Sequence, residues 1–219
     1  MRKNPLVIGE LYHVFNKSIA NYTIFNDDSE FLRILNIIRY YQIKNDGIRF
    51  SSANRSNKEL SANNFKHRPN KEARLNDIIA YCFMPTHFHL IIKQLTEKGT
   101  SIFMNNIQNS YTRYFNIRHN RKGPLWEGPF KSVLVGNDEQ LLHLTRYIHL
   151  NPVTAFLVNN PEDWKWSSYG EFTIKSMAVD KICYFNKILN IDPDSYKTFV
   201  TDRIEYQRNL AKIKNLLLE

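Results

Sequence analysis

The sequence predicts a protein of the α+β class. Segments rich in aromatic and β-branched residues are typical of strands, and they are interspersed with segments whose apolar residues recur at helical intervals. Of the 219 residues, 42% are hydrophobic, which is enough for a sizeable core and argues against a chain that is disordered throughout.

The predicted strands are short and apolar. Residues 10–25 predict one or two strands. Residues 77–84 and 87–93 are separated by Pro85 and Thr86, and they predict a buried antiparallel hairpin or two adjacent strands. Residues 130–135 predict a further strand.

Three predicted helices have apolar residues at helical spacing together with capping residues. The first is capped by Asp27, Asp28 or Ser29, the second covers 101–118, and the third starts at Asn137 or Asp138 and runs to Pro152. Gly123 and Pro124 follow the second helix and prevent its continuation.

Two regions differ in composition from the rest. The polar stretch 45–76 predicts a long loop or a small helical insertion, and it carries six basic residues: Arg55, Lys58, Lys66, Arg68, Lys71 and Arg74. Beyond residue 172, helical stretches near 184–190 and 194–218 predict a helical C-terminal extension at 173–219. The main domain is therefore expected at 1–172, with the polar insertion inside it.

The charge of the chain favours a polyanionic partner. There are 30 Lys and Arg against 21 Asp and Glu, which gives a net charge of +9 and a pI near 9.5. Nucleic acid is the commonest such partner, and the alternative is that the charge only keeps the protein soluble.

The cysteines and the apolar runs indicate the compartment. Cys82 and Cys183 have no CxxC spacing, and the start of the chain lacks the apolar core of a signal peptide. No apolar run approaches the roughly 18 residues that span a bilayer. A reducing, cytoplasmic protein without a membrane segment is expected.

The first motif with chemical potential is His87-Phe88-His89 in a predicted strand. Residues two apart in a strand face the same way, so both imidazoles can converge on one ion while Phe88 packs into the opposite face. Taken alone, a His-x-His motif also occurs by chance.

The second motif is the helix end LTRYIHLNP, in which Tyr147 and Asn151 lie four residues apart. That spacing places them on one helix face, about 6 Å apart along the axis, where a nucleophile and an oxygen ligand can reach the same point. His143 precedes them by one turn and either assists or packs. Ordinary surface or capping roles are the alternative for this pair.

Two imidazoles and one amide oxygen leave open coordination sites and suit magnesium or manganese. Such an ion next to a phosphodiester polarises the phosphate. A tyrosine, with a reference pKa of about 10, is a poor nucleophile while protonated, so it needs a polarised phosphate if it is to attack. A phosphotyrosine ester conserves the bond energy, so a strand can be resealed without ATP. In agreement, the chain shows no P-loop and no dinucleotide fingerprint.

Other residues compete for these roles or support them. Tyr111 and Tyr114 flank Arg113 and are rival nucleophiles, but they continue an apolar helical stripe, which favours core packing. A basic set predicts a phosphate-binding surface: Arg113, Arg118, Arg121, Lys122 and Lys131. Trp126 and Phe130 either stack on unpaired bases or belong to the core.

At these residues the chain resembles the one-tyrosine HUH transposases of insertion sequences, and among them the REP-associated tyrosine transposases. The similarity covers about residues 8 to 172 and lies in the motifs YHVFN (12–16), MPTHFHLII (84–92), SYTRYFN (110–116), GPLWEGPFKS (123–132), YIHLNPV (147–153) and WKWSSY (164–169).

The resemblance implies a fold, a site and a reaction. The fold is a central antiparallel β-sheet flanked by helices, as in ferredoxin-like or RRM-like HUH nucleases. His87, His89 and Asn151 correspond to the metal ligands and Tyr147 to the nucleophile. The implied reaction is cleavage and rejoining of single-stranded DNA at hairpin or palindromic repeats through a 5′-phosphotyrosine. Both a homodimer and a monomer are compatible with the resemblance.

Three departures affect substrate recognition. Pro129 stands where relatives often carry an arginine, the stretch 45–76 is longer than a minimal relative needs, and the extension beyond 172 lies outside the motifs that carry the resemblance. These departures leave the implied chemistry unaffected. Two hypotheses from other classes also stay open: a domesticated hairpin-binding protein without turnover, and a metal phosphoesterase that uses water.

Overall fold

The core of the protein is a four-stranded, fully antiparallel β-sheet with the strand order β2-β3-β1-β4. The computed structural model describes residues 5–44, 48–52, 74–174 and 181–216, with side chains up to residue 213. The strands are β1 (Leu11–Lys17), β2 (Asn76–Met84), β3 (His87–Gln94) and β4 (Lys131–Leu134). The α+β fold with a central antiparallel sheet is thereby confirmed.

Strands β2 and β3 form a tight hairpin around Pro85 and Thr86, as the sequence predicts. The Pro85 carbonyl accepts hydrogen bonds from the amides of Ile24 and Phe25, so the turn is tied to the chain that follows β1. Because side chains alternate along a strand, Phe88 enters one face of the sheet and His87 and His89 enter the other.

One face of the sheet is covered by helices α1 (Asp28–Tyr41) and α2 (Gly99–Arg118). Helix α1 begins after Asp27, whose carboxylate accepts hydrogen bonds from the amides of Ser29 and Glu30, and this satisfies two of the free amides at the helix start. On this face aromatic rings from the helices and the sheet pack together, with Phe25 in contact with both Phe83 and Tyr111.

The opposite face is covered by helix α3 (Asp138–Thr154), which packs against β2 and β3. The Asn137 side chain caps it by accepting a hydrogen bond from the Gln140 amide. Three shorter helices follow: α4 (Tyr169–Thr173), α5 (Pro193–Thr201) and α6 (Ile204–Leu216). Helices α5 and α6 both contact α3, so the helical extension supports the element that carries Tyr147.

Several boundaries and burial assignments differ from the sequence-based expectations. The second half of 10–25 forms a 3-10 turn at Ile19–Asn21 and no second strand. Leu32 and Ile102 lie at apolar positions of their helices but are 49% and 44% exposed. Helix α3 ends at Thr154, two residues beyond the expected end at Pro152, so the proline lies in the last turn and the helix loses one backbone hydrogen bond there.

The polar stretch 45–76 is only partly described. Residues 45–47 and 53–73 lie outside the described residues, as do 175–180, so the expectation of a loop or helical insertion stays a prediction. Its two ends meet, because Ile43 pairs with Arg74 and the Leu75 amide donates to the Gln42 carbonyl at 2.7 Å.

Both cysteines are buried, and burial raises the pKa of the Cys82 thiol. Across the described ranges, no helix has the length and apolar character needed to cross a membrane.

Candidate active site

His87 and His89 lie on the α3-facing side of β3, as the strand alternation predicts. Their ring centroids are 5.2 Å apart, and His89 is 8% exposed. The Nδ1 atom of His87 is 3.0 Å from Oγ1 of Thr86 in the hairpin turn. A hydrogen bond from Nδ1–H to that hydroxyl leaves Nε2 of His87 as the atom that can bind an ion.

A third imidazole, that of His13, belongs to the same cluster and was missed by sequence reasoning. It lies on β1, and its Nε2 is 2.9 Å from Nδ1 of His89. The antiparallel register pairs Phe15 with His89, which places His13 on the same face and one diagonal step away. The sequence shows that His13 lies two residues before Phe15 in the predicted strand, so the two side chains share a face. The pairing of this strand with the one that carries His89 depends on distant residues, so the local sequence does not reveal the contact.

Tyr147 projects from α3 over this cluster. Its ring centroid is 5.7 Å from that of His89 and 6.3 Å from that of His13, both edge-on, and the residue is 46% exposed. One turn later, Nδ2 of Asn151 donates to the Tyr147 carbonyl at 3.2 Å. Because an amide nitrogen has no available lone pair, Oδ1 is the atom through which Asn151 would bind a metal.

Burial keeps the imidazoles neutral. It lowers the pKa of His13 to about 4 and that of His87 below its usual value. The pKa of His89 falls to about 3, first through burial and then through repulsion from His13 and His87. Neutral imidazole is the form that binds metal ions.

Within the described part of the chain, no three His, Cys, Asp or Glu side chains form a group able to hold a metal ion. His13 faces Nδ1 of His89, so it is suited to orient His89 and does not complete a three-histidine centre. A metal at His87 and His89 would thus need an amide such as Asn151, water or substrate as further ligands. The expected magnesium or manganese stays a prediction, in which the amide oxygen and water would supply the oxygen ligands that these ions prefer.

His143, considered as an assistant from its helical spacing, lies away from the cluster. Its Nδ1 is 2.7 Å from a guanidinium nitrogen of Arg146, and its ring contacts Phe199 of α5. It therefore packs against the C-terminal extension.

The two rival tyrosines are on the other side of the sheet. Tyr111 is fully buried and donates its hydroxyl hydrogen bond to the Ile24 carbonyl, and burial raises its pKa strongly. The hydroxyl of Tyr114 accepts a hydrogen bond from Arg118. The predicted packing role of Tyr111 is confirmed.

The basic residues that were predicted to form one phosphate-binding surface have different environments in the structure. Arg118 forms ion pairs with Asp27 and Glu30 at 2.7 and 3.2 Å, which offset its charge. Arg121 donates to the Pro124 carbonyl at 2.6 Å and braces the loop after α2. Lys122 is exposed beside that loop.

Trp126 was considered as a residue on which unpaired bases stack, but it lies in the core. It is 8% exposed, its indole N–H donates to the Gln108 carbonyl, and its ring packs on Phe88. Phe130 is also buried. A ring enclosed in this way has no free face for an unpaired base, so burial favours the core alternative for both residues.

Lys131 and Arg113 occupy opposite sides of the molecule. Lys131 is exposed on β4, and its register partner Phe15 is in turn paired with His89, so Lys131 shares the face of the histidines. Arg113 is exposed on α2, which covers the other face.

The chain is similar to known transposases. The family model described as "Transposase IS200 like" matches residues 56–151. A Haemophilus influenzae protein named as a REP-associated tyrosine transposase is 28% identical over 104 residues, which cover 42% of this chain and 58% of that protein. The chain thus spans little more than half the length of this relative.

Among solved structures, a REP-associated tyrosine transposase bound to a REP hairpin has the same fold, with a TM-score of 0.52 at 17% identity. The match covers 84% of this chain and 92% of that one. The family model, the curated relative and the solved fold agree, and they confirm the resemblance of this chain to the IS200-like and REP-associated tyrosine transposases.

Proposed function

We propose that the chain is a metal-dependent endonuclease and strand-transferase that cleaves and rejoins single-stranded DNA at hairpins through a phosphotyrosine intermediate. The observation that carries this proposal is the position of Tyr147, whose half-exposed ring lies edge-on over His89 at 5.7 Å. A tyrosine in a purely packing role would be buried like Tyr111.

His87, His89 and Asn151 are the residues that would hold the ion, Mg²⁺ or Mn²⁺. When bound, a divalent ion of this kind polarises the scissile phosphate and stabilises the charge that develops on it. His13 and Thr86 hold the outer nitrogens of the two imidazoles, which fixes the ring orientation before substrate arrives.

Tyr147 supplies the nucleophile. Its Oη attacks phosphorus, the bond to the 3′ oxygen breaks, and a 5′-phosphotyrosine and a free 3′-hydroxyl result. The proton lost by the tyrosine is balanced by the one gained by the leaving oxygen. Attack of a 3′-hydroxyl on the phosphotyrosine reverses these bond changes and rejoins a strand, so the chemistry needs no external energy source.

The partner is inferred from charge and from relatives. The net charge of +9 favours a polyanion, and the solved structure of similar fold belongs to a protein bound to a REP hairpin. Lys131 is an exposed cation on the face of the histidines, and it would contact a phosphate beside the scissile one.

The test is the Tyr147→Phe substitution, which removes one oxygen and keeps the ring. Purified protein is incubated with folded single-stranded oligonucleotides and Mn²⁺, and covalent adducts are resolved on denaturing gels. The wild type and a Tyr206→Phe control, changed at another exposed tyrosine, should form an adduct. Tyr147→Phe should form none, while it retains hairpin binding.

Each other outcome selects a different function. An adduct formed by Tyr147→Phe moves the nucleophile to another tyrosine. Cleavage by the wild type without any adduct indicates a phosphoesterase that uses water, and hairpin binding by the wild type without cleavage in any metal indicates a binding protein without turnover.

A further inference from the structure

A second candidate site lies on the other side of the molecule from the histidines. A pocket of about 880 Å³ opens between helices α1 and α2, and its lining also includes Ile43, Lys44, Ile48, Arg49 and Ser51. This volume falls in the range of ligand pockets, about 300–1,000 Å³. Helices α1 and α2 cover the face of the sheet that carries Phe88, whereas Tyr147 lies over the face that carries His89.

The described lining of this pocket is strongly basic and contains no acidic residue. Four cations line it in addition to Arg118, whose charge Asp27 and Glu30 offset: Arg33, Lys44, Arg49 and Arg113. Lys44, Arg49 and Arg113 are exposed. Cations that converge on one concavity repel each other, and an anion that enters removes this repulsion.

Arg33 lies deepest among these cations. Its guanidinium is 4.5 Å from the ring centre of Phe50 and 4.8 Å from that of Tyr114, and burial lowers its pKa. Its Nε atom is buried without a hydrogen-bond partner among the described residues. A buried donor left without an acceptor is costly, and an oxygen of a bound ligand would supply one.

The pocket also has an apolar wall, which a surface built only for solubility would not need. Ile48, Ile102 and Ile117 line it with exposures of 55%, 44% and 77%. Asn106 and Asn109 stand beside them and can hydrogen-bond the edges of bases. Exposed apolar side chains rimmed by polar ones indicate a binding site.

We propose that this pocket binds an unpaired segment of nucleic acid, in which phosphates contact Arg49 and Arg113 and bases pack on Ile102 and Ile117. Grooves that bind single strands combine cations that follow the backbone with side chains, usually aromatic, against which the bases pack; in this pocket the exposed isoleucines would take that second role. The site goes beyond the proposed cleavage reaction, because binding here requires neither Tyr147 nor a metal. A strand held on this side would be separate from the segment at the histidines.

The first experiment measures binding without chemistry. A fluorescent 12-residue oligothymidylate is titrated in EDTA at several salt concentrations with wild-type protein and with Arg49→Gln/Arg113→Gln. The control is Lys187→Gln/Lys212→Gln, which removes the same charge from exposed positions in the C-terminal extension. The pocket variant should bind roughly tenfold more weakly. The slope of the logarithm of its affinity against the logarithm of the salt concentration should be shallower by about 1.4, which is about 0.7 for each phosphate that the variant no longer neutralises.

The second experiment tests the apolar wall. Ile117→Asn should weaken binding about threefold without a change in salt slope, because a base loses its packing surface. Ile213→Asn, at another exposed isoleucine, should not. Thermal unfolding of each variant verifies that these exposed positions leave the fold intact.

Competition identifies the ligand class. Excess thymidine monophosphate or polyglutamate should displace the oligonucleotide poorly. Displacement by the mononucleotide at equal phosphate concentration would replace the proposal with a small phosphate ligand, and equal displacement by polyglutamate would replace it with a general polyanion surface. Equal affinity and slope for the pocket and control variants overturns it. The adduct assay is independent of these results, so failure of the cleavage proposal and failure of this one are distinguishable.

Discussion

His13 and His89 form a pair in which one imidazole orients the other. The 2.9 Å contact joins Nε2 of His13 to Nδ1 of His89. The tautomer with the His89 proton on Nδ1 leaves Nε2 of His89 free for an ion, and a partner on the outer nitrogen fixes the ring and raises its basicity. His13 is therefore a positioning residue in the proposed metal site.

We predict that His13→Ala weakens Mn²⁺ binding about 10- to 100-fold, which is the usual effect of removing a partner of a metal-bound histidine. His89→Ala should abolish binding, and His143→Ala, whose imidazole lies outside the cluster, should leave it unchanged. Isothermal titration calorimetry measures all three. Wild-type affinity in His13→Ala would exclude the orienting role.

His149 is the most deeply buried imidazole described. It is 0% exposed, and its two nitrogens lie 2.7 Å from the hydroxyls of Tyr196 and Ser168. Burial lowers its pKa to about 3. In the unfolded chain His149 has the ordinary pKa of about 6.5. Between about pH 6.5 and about pH 3 the unfolded chain therefore binds a proton at His149 that the folded chain does not bind, so acid favours unfolding.

We therefore predict that the free energy of unfolding is highest above pH 6.5 and falls by about 1.4 kcal/mol per pH unit on acidification because of His149. Urea unfolding at pH 7, 6 and 5 measures this dependence. His149→Gln should be less stable at pH 7 but should show a shallower fall. An equally steep fall in that variant would assign the acid sensitivity to other groups, among them His13 and His89.

At the scale of the elements, the start of α2 depends on a close approach of backbone. A Cβ atom on Gly99 would lie 2.5 Å from the Leu75 carbonyl oxygen and 2.7 Å from Oγ1 of Thr96. The Leu75 carbonyl is held by the Leu95 amide, so it cannot move away freely. The absence of a side chain at position 99 lets α2 begin against β2.

Gly99→Ala should accordingly destabilise the protein by about 1–3 kcal/mol, the usual range for overpacking. Gly128→Ala is the matched control, because a Cβ atom at that position would have no neighbour within 4 Å. Denaturant unfolding compares the two. If both variants match the wild type, the contact at Leu75 relaxes without cost.

The C-terminal helices α5 and α6 pack against α3 and form hydrogen bonds with it. Arg208 of α6 donates to the Val153 carbonyl at 3.4 Å, and Arg146 of α3 donates to the Phe199 carbonyl at the same distance. Tyr196 of α5 contacts His149, two residues beyond Tyr147. The extension that sequence reasoning left without a role is thus part of the support of the helix that carries Tyr147.

At the scale of the whole molecule, the positive charge lies on both sides of the sheet. Lys131 shares the face of the histidines, whereas Arg49 and Arg113 line the pocket on the opposite side. The basic residues between 113 and 131 therefore contribute to two surfaces, because α2 covers one face of the sheet and Lys131 of β4 lies on the other.

We predict that affinity for a hairpin oligonucleotide falls steeply with salt, and that Lys131→Gln makes the slope shallower by about 0.7 to 0.9. Lys187→Gln removes the same charge from the C-terminal extension and should keep the wild-type slope. Fluorescence anisotropy at several salt concentrations makes the comparison. Identical slopes for Lys131→Gln and wild type would exclude a phosphate contact at Lys131.

Local sequence was sufficient for the elements and for much of the candidate site. Alternation along β3 predicted that His87 and His89 share a face, and helical spacing predicted that Tyr147 and Asn151 share another. Capping residues marked the starts of α1 and α3 within a residue. These features depend on neighbours a few residues away, which is why a single sequence reveals them.

Tertiary structure decided which of these faces meet. The pairing of β1 with β3 brought His13 to His89, and the packing of the core buried Trp126. Packing of α3 on the histidine face placed Tyr147 over His89, and the separation of α2 from that face sent Arg113 to a different surface. Periodicity defines a face of each element, but which faces come into contact is set by strand order and by the packing of helices on the two sides of the sheet.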